Sequence, residues 1–202
     1  MTAQTRSSKA EARTQAQRER ILSAAQQCFI EHGFHAAGMA KIAETAGMSP
    51  GLIYRYFENK SAIIQAIVDR QLELLREEIR LTRHIDLAQE MAEGYGTGRA
   101  DGSRRISAPL LLELSAEATR DPGIAASVRN FDTGLRQALQ TWLARPKEEG
   151  GHALPPAITA QRALILQLIF EGLRVHETRE PDLDHELLSR ALRELIPHLL
   201  AP

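Results

Sequence analysis

Between residues 49 and 60 the chain sets groups that donate hydrogen bonds at short intervals: Ser49, Tyr54, Arg55, Tyr56 and Lys60, with Pro50 and Gly51 directly after the serine. Phenols and an ammonium suit phosphate oxygens, and a guanidinium suits either a phosphate or a guanine edge. Ser49 has the type of a helix N-cap and Pro50 that of a first helical residue, where a missing N–H costs nothing. The N–H groups and dipole at such a helix start favour a phosphate. Ser49, Gly51 and Tyr54 fall on the exposed side of this short helix. Arg55 is its long cation, with base and phosphate both open as targets. Leu52 is either a thymine-methyl contact or core, and Phe57 is assigned to the core. Lys60, opening the next helix, is placed to neutralise a phosphate, and Lys41 on the preceding helix completes the candidate set.

Other chemistries find no matching pattern. There is no Gly-rich phosphate loop, no Gly-x-Ser-x-Gly elbow and no zinc-ligand spacing. His84, His152, His176, His185 and His198 are scattered, and His32 and His35 flank Gly33 with nothing nearby to complete a metal site. The chain is expected to be neither an enzyme nor a carrier of a metal or other cofactor.

The candidate residues need a frame to hold them. Met39, Ile42, Ala43 and Ala46 share one face of a short helix, which Gly47 ends. Met48 is next, an apolar plug, and a second helix runs from Gly51 to about Phe57. Helix, glycine turn, helix over about residues 38–57 is a helix-turn-helix that reads the major groove. Before it, Ile21, Leu22, Ala24, Ala25, Cys28 and Phe29 form one apolar stripe on a helix from Arg18 to about His32, with Cys28 in the core. After it, Asn59 caps a helix from Lys60 to about Arg83, about 35 Å long. Its first half packs on the N-terminal helices and its second half on the C-terminal part of the chain, which makes it a mechanical link between two domains.

Composition agrees with a protein that operates in the cytoplasm. A chain of 202 residues with 43% hydrophobic and 25% charged residues suits a soluble fold. A single cysteine fits a reducing compartment. No run of about 18 apolar residues offers a membrane span, and the first fourteen residues lack the apolar stretch of a secretory signal. They are expected to form a disordered, mildly basic tail, with Arg6, Lys9 and Arg13 as its cations. Net charge is −1, yet residues 1–60 carry +3 and the remainder −4. A basic N-terminal part can face phosphates while the rest faces away.

The remaining sequence is helical throughout. Asp86 caps a helix to about Tyr95, and glycines 94, 96, 98 and 102 mark a loop. Residues 103–119 form the next helix, and Asp121-Pro122 opens another to about Ala144. Residues 144–157, ARPKEEGGHALPPA, are the clearest loop. Helices over 159–178 and from about Leu183 onward complete the chain.

The series Arg20-Ile-Leu-x-Ala-Ala-x-x-x-Phe29, Gly33-Phe34, then Ile42-Ala43-x-x-Ala46-Gly47-Met48-Ser49-x-Gly51-x-Ile53-Tyr54-x-Tyr56-Phe57-x-Asn59-Lys60 resembles the TetR family of bacterial regulators. The likeness spans about residues 15–75. It implies an all-α protein: a three-helix helix-turn-helix domain over 15–75, joined by a long helix to a ligand-binding and dimerisation domain over 76–202. It implies a homodimer paired through the last two helices, a pseudo-palindromic DNA operator, and DNA contact by Tyr54, Tyr56 and Lys60. The expected activity is transcriptional repression relieved by a small-molecule effector, with a constitutive DNA-binding regulator or an activator as the alternative. Gly38 departs from the family's usual Ser or Thr at the first N-cap, which removes a hydroxyl from the phosphate side. In the second domain the candidate effector contacts are Leu110, Glu113, Leu114, Glu117, Phe131, Phe170 and Glu171, together with Asp132. Carboxylates facing an apolar pocket select a cationic or hydroxylated ligand; the alternative is surface charges paired with Arg120, Arg136 or Arg174.

Overall fold

The computed structural model describes residues 3–81, 85–96 and 107–201, with side chains from residue 11 onward. Among the described residues there are nine α-helices and no strand: α1 Ala3–Ala36, α2 Met39–Thr45, α3 Pro50–Ile53, α4 Lys60–Leu81, α5 Leu87–Gly94, α6 Ala108–Ala118, α7 Pro122–Ala144, α8 Pro156–Glu177 and α9 His185–Leu200. The fold is all-α, as the periodicity predicts.

Two compact units partition the chain. The first joins Met1–Val68 to Glu113–Ser127, and the second joins Asp69–Leu112 to Val128–Pro202. The chain passes from one unit to the other inside α4, α6 and α7. The alliance of residues 113–127 with the N-terminal helices is a tertiary feature that no local pattern announces.

In the first unit, Ile21, Ala25 and Cys28 of α1 have no exposed surface, and neither do Ile42 and Ala43 of α2, Ile53 of α3 and Ile63 and Ile64 of α4. Cys28 lies in the core, its Sγ 3.2 Å from Thr45 Oγ1. α1 differs from expectation at both ends. Residues 3–14, expected as a tail, continue the helix. Glu11 to Ala16 are exposed, so good helix formers and i,i+4 pairs, such as Gln15 Nε2 to Glu19 Oε1 at 2.9 Å, carry this stretch rather than burial. At the other end Gly33 breaks the helix at φ 73, ψ 165, and one more turn comes after it.

In the second unit α5 packs on α9. The core gathers Met91 and Tyr95 at α5, Trp142 and Leu143 of α7, Leu166 of α8, and Leu192 and Ile196 of α9. Asp86 starts α5 as the sequence predicts, accepting from Gln89 N–H at 3.0 Å. Asp184, which the sequence does not single out, starts α9 by accepting from Glu186 N–H at 2.9 Å. The expected helix end at 82–83, the glycines at 98 and 102, and residues 103–106 lie outside the described residues.

Candidate nucleic-acid interface

The helix-turn-helix is assembled by backbone geometry and two apolar anchors. Gly38 stands at the N-cap of α2 with φ −76, ψ 164, and contributes no side-chain bond. After α2 the chain turns back: Gly47 N–H donates to Glu44 O and Met48 N–H to Ala43 O, each at 2.9 Å. Gly47 makes this turn at φ +62, a conformation that costs other residues steric energy. The second helix is shorter than predicted, because α3 ends at Ile53 and gives way to a turn over residues 54–56. Tyr56 and Phe57 N–H groups both donate to Ile53 O at 3.0 Å.

Ile53 is fully buried and Phe57 is 4% exposed, so the segment is pinned at both ends. Arg18 of α1 tightens it: its guanidinium lies 4.3 Å from the Phe57 ring centroid, and Nη1 donates to Tyr56 O at 2.9 Å. Arg18 is a residue that sequence reasoning missed, since nothing in its own helix pattern distinguishes it from a solvated arginine.

With that frame fixed, Ser49, Pro50, Gly51, Tyr54 and Arg55 are exposed, Tyr54 at 56% of its surface. Leu52 and Tyr56 are half-buried. Lys41 is exposed and lies 3.2 Å from Glu44, an ion pair that water screens heavily.

Lys60 is placed differently from the phosphate position the sequence suggests. Its ammonium donates to Phe34 O and sits 3.9 Å from the Phe34 ring centroid. Burial holds it below the usual lysine range, opposed by the charge of Glu117. It therefore closes the C-terminal end of α1, where a cation meets unpaired carbonyls.

Glu113 and Glu117, expected at an effector site, lie in this same unit. Glu113 Oε2 accepts the Phe34 N–H at 2.8 Å. Its oxygens pack over Gly33, 3.6 Å from where a Cβ would stand. Glu117 Oε2 is 3.3 Å from His35 Nε2 and 3.8 Å from Arg120 Nη1. Asp121 continues the four-residue spacing: it accepts from Ser61 Oγ at 3.0 Å and caps α7 through Gly123 N–H at 2.7 Å and Ile124 N–H at 3.1 Å. These bonds, the Ile124 amide's above all, hold its carboxyl below the usual aspartate range. Thus three carboxylates at residues 113, 117 and 121 grip the end of α1 and the start of α4. The end of α6 and the start of α7 thereby belong to the unit that holds the helix-turn-helix. Leu114 is buried in this unit.

Leu110, Phe131, Asp132, Phe170 and Glu171 belong to the other unit. Leu110 is buried and the two phenylalanines are half-buried. Gln167, 4% exposed, donates Nε2 to Glu171 Oε1 at 2.7 Å, while its Oε1 has no hydrogen-bond partner. Burial and the charge of Glu171 push the Asp132 carboxyl up, against the pull of Arg136. Among the described residues no helix is long and apolar enough to cross a membrane.

A helix-turn-helix that exposes phenol, hydroxyl and guanidinium groups on buried anchors defines a DNA-binding regulator. Comparison with known proteins agrees. Residues 21–67 match the family described as bacterial regulatory proteins, tetR family, and residues 97–201 match that described as BetI-type transcriptional repressor, C-terminal. The HTH-type transcriptional regulator UidR of Escherichia coli (strain K12) is 31% identical over 188 residues, 91% of this chain and 92% of that one. The HTH-type transcriptional repressor AcnR of Corynebacterium efficiens is 26% identical over 133 residues, 66% and 67% of the two chains. Salmonella enterica GusR superposes with a TM-score of 0.70 at 27% identity, over 92% of this chain and 95% of that one. The chain belongs to the TetR family of transcriptional regulators.

Proposed function

We propose that the protein is a cytoplasmic repressor that binds a pseudo-palindromic operator as a homodimer and leaves it when a small molecule occupies the second unit. The observation that carries this reading is the pinned helix-turn-helix: Ile53 and Phe57 are buried while Tyr54 and Arg55 are presented to solvent. On this reading Ser49, Pro50, Gly51, Leu52, Tyr54, Arg55 and Tyr56 face the DNA, with Lys41 at the margin. Lys60 acts on Phe34 rather than on a phosphate. The dimer forms through α8 and α9, where Leu164, Ile165, Leu168, Leu187 and Leu195 are exposed and Gly172 has open space around it. Such a row of exposed large apolar side chains suits a partner surface.

The effector is placed near Asp132, Gln167 and Glu171, beside Phe131 and Phe170. The unpaired Gln167 Oε1 and the two carboxylates call for a ligand rich in hydrogen-bond donors, hydroxylated or cationic. Response to it needs only a different affinity for the DNA-binding and released states. α6 offers the lever: it is one helix, with Leu110 in the effector unit and Glu113 and Glu117 holding the end of α1.

Selection of tight binders from random-sequence duplex DNA tests the proposal. Recovered sites should carry an inverted repeat with half-site centres about one helical turn or slightly more apart, bound by two chains each. Recovery of no common sequence would overturn it.

A further inference from the structure

The loop over 144–157 is not used by the DNA-binding reading, yet it is tightly built. Ala153 N–H donates to Arg145 O and Leu154 N–H to Leu143 O, each at 2.9 Å, folding the loop back on the end of α7. Trp142 Nε1 donates to Gly150 O at 3.2 Å, and the His152 ring stands edge-on to Trp142 at 4.5 Å. Ala153 is held at φ 53, a strained backbone for a residue other than glycine. Strain of this kind persists only where the surroundings enforce it, and it gathers at binding sites.

This construction holds Lys147 and His152 at the edge of a cleft of about 460 Å³. Arg193 of α9 supplies a second permanent cation to the same cleft, whose apolar lining includes Ile85, Ile196 and Leu200. Neither Lys147 nor Arg193 forms an ion pair among the described residues. Among the described residues the one lining carboxylate, Asp86, is occupied in capping α5 through Gln89 N–H. Burial and the neighbouring Lys147 hold His152 below the usual histidine range.

We propose that this cleft binds a small amphipathic anion, its charged head between Lys147 and Arg193 and its apolar body along Ile85, Ile196 and Leu200. The charge complement selects a carboxylate, sulfonate or phosphate ester carrying a hydrocarbon or aromatic tail. No residue of the cleft belongs to the DNA-facing set or to the exposed leucines of α8 and α9.

The chain's single tryptophan reports on this cleft through His152. The test titrates the full chain with 8-anilinonaphthalene-1-sulfonate and tracks Trp142 emission. The expected result is saturable quenching of Trp142, with one probe per chain. Lys147→Glu with Arg193→Glu should weaken that binding at least tenfold, with the probe-free Trp142 spectrum and the melting temperature unchanged. The uncharged N-phenyl-1-naphthylamine should bind more weakly to the wild type and respond little to the substitutions. Absence of saturable quenching, equal affinity in the charge-reversed variant, or equal binding of the uncharged probe would each overturn the proposal.

Discussion

Glu113 accepts the backbone N–H of Phe34 at 2.8 Å across 79 positions of sequence. The Phe34 carbonyl on the same residue accepts from Lys60. The residue directly after the Gly33 break is thereby held at its amide by α6 and at its carbonyl by α4, two residues before the chain leaves α1.

Removing the carboxylate from this arrangement strands a part-buried N–H. Glu113→Ala should lower unfolding free energy by about 1–3 kcal/mol, read by urea denaturation, and should weaken operator binding. Glu113→Gln keeps an acceptor oxygen in place and should recover most of the loss. Equal stability of the alanine variant and the wild type would show that the bond contributes nothing net.

The exposed residues of the reading segment behave oppositely. Tyr54→Ala and Arg55→Ala change exposed side chains, so stability should stay within about 0.5 kcal/mol of wild type while operator affinity falls. The salt dependence of binding then assigns Arg55. Loss of a phosphate contact lowers the slope of log affinity against log salt by about 0.9 for each phosphate released. An unchanged slope with relaxed sequence preference assigns the side chain to a base instead.

Leu168 on α8 and Leu187 on α9 are 56% and 52% exposed. Leu168→Glu combined with Leu187→Glu should halve the mass seen in sedimentation equilibrium, because a desolvated carboxylate at a two-fold interface faces its own copy. Helix content by circular dichroism should not change. Retention of the dimer would place the interface elsewhere.

Acid should loosen the corner formed by Asp121. Its pKa is depressed in the fold, chiefly by the Ile124 amide and then by Ser61 and the Gly123 amide. Its contribution is therefore complete above the ordinary value of 3.8 and is lost as pH falls through the lower folded value. The stability difference between wild type and Asp121→Asn should be constant from neutral pH to about pH 5 and shrink below pH 4, as pH-dependent thermal melts would record.

Much of this protein was legible in one dimension. The glycine turn at Gly47, the Pro50 start of α3, where Ser49 holds the N-cap position without a side-chain bond, the Asn59 cap of α4, which accepts from Ala62 N–H at 2.8 Å, and the apolar stripe through Cys28 are local: each depends on a residue's own conformational energy or on helical spacing. The exposure of Tyr54 and Arg55 arises equally from their places beside Ile53 and Phe57. Helix α1 shows the limit of that reasoning even locally, since residues 3–14 look like a tail by charge and lack of apolar residues, yet have the propensity to extend the helix.

The roles of Lys60, Glu113, Glu117 and Arg18 were not legible, because a charged side chain on a helix carries no signal of what lies opposite it. Lys60 looks like a phosphate contact in sequence and becomes a helix-end clamp only once Phe34 is brought beneath it. Glu113 and Glu117 look like effector ligands and become supports of the reading domain only when residues 113–127 fold against residues 1–68. Periodicity and capping determine which segments are helices and which face each buries. Partner choice between distant charges depends on a few ångströms of separation, and only the packed chain sets that distance.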